Sequence, residues 1–181
     1  SSTRLATFEG GFQEFANLFA ERVRAMGVEI HLNAPVSAIL RQGSGVQLTV
    51  AGTDRLFDQV LVTTSPAQLA RLAPDLPEDY LKGLLSLKHM GAVVLAVSLK
   101  EQLSKEGYYW YNLPKSAGFP FLALVEHTNF VDASHFNGEH IVYCGDYLDP
   151  KHEYFSLDKQ ELLERFLPSL KRINPDFKPE W

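Results

Sequence analysis

The chain holds a single cysteine, Cys144, among 181 residues. An internal disulfide and a cysteine-built zinc cluster are therefore both excluded, and a reduced, cytoplasmic setting is the simplest expectation. No apolar run approaches the roughly 20 residues that a membrane helix requires, and the first residues do not resemble a signal peptide. Positive charge is scarce and scattered: 17 Lys and Arg stand against 22 Asp and Glu, for a formal net charge of −5. That balance disfavours nucleic acid or an anionic membrane surface as the partner. The six histidines make no metal pattern; His135 and His140 flank an Asn137-Gly138 turn, while His31 and His89 stand alone, so no metal site is expected. Also missing is a G-x-G-x-x-G turn after a strand, the arrangement that cradles a dinucleotide pyrophosphate. The chain opens at Ser1-Ser2-Thr3 without methionine, as a piece trimmed from a longer polypeptide would.

What is present is a globular composition, 45% hydrophobic, in a length that suits one good-sized domain or two partial ones. Over residues 12–26 the apolar positions Phe12, Phe15, Leu18, Phe19, Val23 and Met26 recur at helical spacing, and Gly27 is placed to stop that helix. The stripe reads as core-forming. The period then changes to two. Residues 28–32, 36–40 and 46–50 read as strands, with turn chemistry at Gln42 to Gly45 and at Gly52 to Asp54. Val60, Leu61 and Val62 form an unbroken apolar run, suited to a strand covered on both faces. An antiparallel meander leading into a buried strand is expected, closed by Pro66.

Beyond Pro66, residues 78–87 read as a helix. Residues 92–99, 121–126 and 140–147 read as long strands, with a shorter one at 108–111. Asp158 followed by Glu161 has the form of a capping box, and Leu162, Leu163, Phe166, Leu167 and Leu170 give the helix after it a buried stripe. Pro168 is expected to interrupt or kink that helix. The expected fold class is α+β: a helix and meander over residues 1–66, then a mixed β-sheet with flanking helices over 67–181.

Gly10, Gly11 and Phe12, the helix behind them, residues 27–30, Pro35-Val36 and the closing run Val62 to Pro66 resemble the central region of the flavin-containing amine oxidoreductases. That group includes protoporphyrinogen oxidases, phytoene desaturases and monoamine oxidases. The similarity covers the first third of the chain. Residues 109–112, 126–129 and 143–147 resemble the substrate-domain segment of bacterial, protoporphyrinogen-oxidase-like members. The resemblance implies an internal fragment of an FAD-dependent oxidoreductase, in which hydride passes from a C–N or C–C bond of a small-molecule substrate to flavin. It implies that the backbone of Val36 hydrogen-bonds the adenine of FAD, and that Thr64, Ser65 and Pro66 pass near the cofactor. Substrate-lining candidates are Tyr109, Tyr111, Glu126 and Asn129. The pyrophosphate grip is expected from the rest of the parent flavoprotein, so the isolated chain is expected to be inactive and free of FAD.

Plainer readings stand beside these. Tyr108, Tyr109, Trp110 and Tyr111 either line a pocket or split between core and sheet surface. Glu126 and His127 are either an acid–base pair or a strand end satisfied locally. Gly10-Gly11 is either a flexible helix approach or lies beside the flavin, and Cys144 reads as buried and inert. A sugar-nucleotide mutase on the same fold would gather arginines for a diphosphate; Arg4, Arg22, Arg24, Arg41, Arg55, Arg71, Arg165 and Arg172 are scattered instead. A free-standing binding module is the alternative outside enzymology.

Overall fold

The computed structural model describes residues 5–181. Packing divides the chain between Leu87 and Lys88 into two compact units.

The first unit opens on α1 (Gly11–Ala25). Gly10 precedes it at φ 79°, where a Cβ would also meet Glu14 Cβ at 2.9 Å. The turn therefore requires glycine for its conformation. At the other end Gly27 (φ 89°) donates to Arg24 O at 2.9 Å and Val28 N–H reaches Val23 O at 3.1 Å, the paired closure of a Schellman motif. The helix is where the periodicity puts it, but its stripe is not core. No α1 residue is buried, and Phe12 is 80% exposed.

Three strands follow: β1 (Val36–Gln42), β2 (Gly45–Val50) and β3 (Thr53–Phe57), an antiparallel meander. Ile39 pairs with Leu48 and Leu48 with Arg55. The second hairpin turns on Ala51 (φ 48°) and Gly52 (φ 80°), the doubly left-handed geometry that a two-residue hairpin favours. Two expected strands are not strands. Residues 28–32 and 60–62 carry no ladder, and Leu61 is 89% exposed. A strand needs a neighbour for its amides and carbonyls, and no described residue offers one. Helices α2 (Pro66–Leu72) and α3 (Glu78–Ser86) pack on each other, and α2 also touches β1. They therefore stay with the first compact unit, past the Pro66 turn.

The second unit is a four-stranded sheet in the order β4-β7-β6-β5, from β4 (Gly91–Leu99), β5 (Trp110–Asn112), β6 (Ala123–Glu126) and β7 (His140–Leu148). The α+β class stands, with one change: every pairing is antiparallel where a mixed sheet was expected. One face is covered by α4 (Lys159–Ile173), whose Leu162, Phe166 and Leu170 share one buried cluster with Leu124, Val142 and Cys144. Phe121 and Phe166 sit edge to face, 5.0 Å between centroids. The capping box forms as read: Asp158 accepts from Gln160 N and Glu161 N, and Glu161 returns the bond to Asp158 N. Pro168 does not end the helix, which runs on to Ile173.

Cys144 is fully buried, and burial pushes its thiol up to about 12. The reactive thiolate is thus suppressed at neutral and mildly alkaline pH. At pH 8 the native chain is expected to resist iodoacetamide and to label only once unfolded by urea; labelling at the free-thiol rate without denaturant would contradict this packing.

Candidate functional site

Val36 begins β1, an edge strand of the meander. The amide of Ala51 donates to Pro35 O at 2.9 Å, so Pro35 and Ala51 are a hydrogen-bonded pair. Antiparallel ladders alternate such pairs with non-bonded ones. The next pair, Val36 with Val50, is therefore of the second kind, and the N–H and C=O of Val36 turn outward from the sheet. Beside it lies a cleft of about 330 Å³, lined by His31, Ala34, Val36, Val50, Ala51, Thr53, Arg55 and Phe57. A flat heteroaromatic ring needs apolar walls and an edge-on donor and acceptor; Val36, Val50 and Phe57 supply the walls and the Val36 backbone supplies both partners. The residues present thus fit the adenine end of FAD. They do not offer a backbone nest for its pyrophosphate.

Thr64 and Ser65 are exposed and Pro66 is half-buried. Ser65 caps α2, its hydroxyl accepting from Gln68 N at 3.3 Å, and Pro66 takes the first helical position, where its missing amide costs nothing.

In the second unit, Tyr111, Glu126 and Asn129 come together around Ser104, but in the interior rather than around a cavity. Glu126 is fully buried. One carboxyl oxygen accepts from Leu103 N at 2.7 Å, both accept from Ser104 N at 3.1 Å, and the Ser104 hydroxyl donates to it as well. Asn129 donates to Ser104 Oγ at 3.3 Å and Tyr108 O at 3.0 Å, and accepts from Gln102 at 2.9 Å. Tyr111 packs against the core with its hydroxyl buried and without a hydrogen-bond partner, and burial pushes the phenol up. Glu126 lies in the core, while Tyr111 and Asn129 are half-buried beside it. Sheet alternation sets the direction of two of them: Tyr111 pairs with Leu124, and Glu126 with Val142, both on the α4 side.

Tyr109 goes elsewhere, into an aromatic group with Phe130 at 5.2 Å and His127 at 6.5 Å. His127 in turn packs edge-on to Phe136 and Tyr143, and burial holds its imidazole below the usual histidine value. Glu126 and His127 are thus not an acid–base pair; the carboxyl belongs to the core and the imidazole to the aromatic group. Sequence reading missed Ser104 and Asn174, whose amide donates to Leu103 O at 2.7 Å. Neither lies in a periodic segment that could have flagged it.

The chain is thus a two-unit α+β fold whose edge strand β1 lies beside a partly apolar cleft. The sequence profile of the flavin containing amine oxidoreductases matches residues 1–180, and the chain belongs to that family. Solved structures share the fold. An oxidoreductase from Methanosarcina mazei matches at 20% identity with a TM-score of 0.74, over 94% of this chain and 40% of its own. A protein from Exiguobacterium sp. 255-15 proposed to be a protoporphyrinogen oxidase matches at 18% and 0.69, over 91% and 37%. A putrescine oxidase bound to putrescine matches at 21% and 0.65, over 91% and 35%. The chain therefore spans well under half the length of these structures. No curated protein matches the sequence significantly. Among the described residues no helix is long and apolar enough to cross a membrane.

Replacing Glu126 by Gln turns an amide N–H₂ toward backbone donors and is expected to cost about 2–4 kcal/mol in urea unfolding. Tyr111→Phe removes a buried hydroxyl that has no partner, and is expected to be neutral or to stabilise by up to about 1 kcal/mol. A neutral Glu126→Gln, or a Tyr111→Phe that loses more than about 1 kcal/mol, would contradict these placements.

Proposed function

We propose that this chain is part of an FAD-dependent oxidoreductase of the amine oxidase and protoporphyrinogen oxidase kind, acting on a C–N or C–C bond of a small-molecule substrate. Bound FAD supplies the two-electron acceptor for the hydride that leaves the substrate. Residues 1–66 contribute to the cofactor domain and residues 67–181 to the substrate domain, with α2 and α3 carrying the chain from one to the other. Val36 holds the adenine edge through its outward N–H and C=O, and Thr64, Ser65 and Pro66 form the neighbouring turn beside the cofactor. Tyr109 borders the substrate side. Tyr111, Glu126 and Asn129 position that side from behind by fixing the 103–109 loop.

The outward backbone of Val36 beside an apolar cleft is the observation that carries this reading. Family membership gives it a context. The uncovered stripe of α1 and the unpaired extended segments 28–32 and 60–62 support a first unit that docks on the rest of a flavoprotein. They weigh against a free-standing module, since an apolar stripe of this kind normally marks an interaction surface. Because no glycine-rich turn for the pyrophosphate occurs in this sequence, the isolated chain is read as inactive.

Val36→Pro isolates the adenine contact. It deletes an N–H that makes no ladder bond, so the meander can persist. In the full-length flavoprotein, FAD affinity is expected to fall about tenfold or more, the loss of one hydrogen bond of about 1.4 kcal/mol, while Val36→Ile retains it. Equal FAD retention in the proline variant would refute the role. The 181-residue chain alone is expected to show no saturable FAD binding; stoichiometric FAD carried through purification would overturn the division of labour.

A further inference from the structure

Resting on the reading of Val36 as the adenine contact, we infer that Arg55 is a specificity residue of the same cleft. Its guanidinium pairs with the phosphate that the adenosine carries, so this unit selects a phosphorylated nucleotide over a bare nucleoside. The register of the meander sets Val36, Val50 and Thr53 in one row across the three strands, and Ile39, Leu48 and Arg55 in the next. Alternation along β3 turns Thr53, Arg55 and Phe57 to one face and Asp54 and Leu56 to the other. The first three line the cleft. It is bounded on β1 by the open backbone edge at Val36 and on β3 by a guanidinium. Two strand spacings are roughly 10 Å between backbones, a separation suited to a purine edge at one side and, beyond its ribose, a phosphate at the other.

The charge pattern points the same way. No carboxylate lines the cleft. Asp54, next to Arg55 in sequence, lies on the opposite face, where it accepts from Thr49 Oγ1 at 2.7 Å. Glu29 is taken up by His31, whose Nε2 stands 2.9 Å from its carboxylate. None of the ion pairs among the described residues uses Arg55. The cleft therefore presents a cation without an anion of its own. Arginine carries a planar fork of donors that meets two phosphate oxygens at once. The apolar walls and the Val36 backbone would hold adenosine and its phosphates alike, so Arg55 is the group in this cleft that tells them apart.

The test uses the full-length flavoprotein, with FAD binding followed by flavin fluorescence and with ADP and adenosine as competitors. Arg55 is exposed, so its replacement leaves the packing of the meander intact. Arg55→Gln is expected to weaken FAD and ADP tenfold or more, to leave adenosine within twofold, and to flatten the salt dependence of ADP binding. Arg55→Lys keeps the charge without the fork and is expected to recover part of the loss. ADP and adenosine weakened alike, or neither weakened, would overturn the inference; that is the pattern expected where Arg55 instead meets a carboxylate from outside residues 1–181. Adenosine affinity untouched by Val36→Pro would defeat the underlying adenine reading, whatever Arg55 does, so the two failures are told apart.

Discussion

The buried carboxyl of Glu126 organises the second unit. Its two oxygens collect the amides of Leu103 and Ser104 and the Ser104 hydroxyl, so the chain leaving β4 is clamped under the end of β6. Asn129 and Asn174 extend the clamp to Tyr108 O and Leu103 O, which ties the loop before β5 to the end of α4. A buried acidic group is tolerated only when its lone pairs are met in this way. The consequence reaches the opposite face. With Glu126 and Tyr111 committed inward, strand alternation sends Trp110, Val125 and Tyr143 to the face away from α4.

A different constraint shapes the first unit. Antiparallel pairing satisfies the inner edge of β1 and leaves its outer edge free. At Val36 that free edge meets the apolar cleft. An unpaired edge is ordinarily a liability; here it leaves a backbone donor and acceptor open beside the cleft. The same unit leaves α1 without cover and two apolar segments without ladders, so its local structure is complete while its packing is not. Local signals and tertiary burial are separable here: the helix forms with a proper Schellman closure although none of its residues is buried.

That separation explains what could be read in the sequence. Periods of 3.6 and 2, glycine stops and the Asp158–Glu161 box are local, and α1, α4, the meander and β4, β6 and β7 lie close to where those signals put them. Residues 28–32 and 60–62 have strand chemistry but need partners, which composition cannot supply. The compact units part after Leu87 rather than at a turn-forming proline, because α2 packs on β1. For the site, the Pro35-Val36 motif put Val36 forward as a candidate, and the structure sets it at the start of the edge strand β1. The inward direction of Glu126, Tyr111 and Asn129 was not legible, since it depends on the register of β5, β6 and β7 and on Ser104, a loop residue without periodic context. Cys144 was readable because the same alternation that buries it leaves no cation beside it.

The central claim is that the outer backbone edge of β1 at Val36 receives a flavin nucleotide. Amide hydrogen exchange of the full-length protein, with and without FAD, reads that edge directly. The account expects exchange at the Val36 amide to slow by about tenfold or more on FAD addition, with the alternate amides already paired to β2 little changed. An unaltered Val36 amide in protein demonstrably saturated with FAD would contradict it.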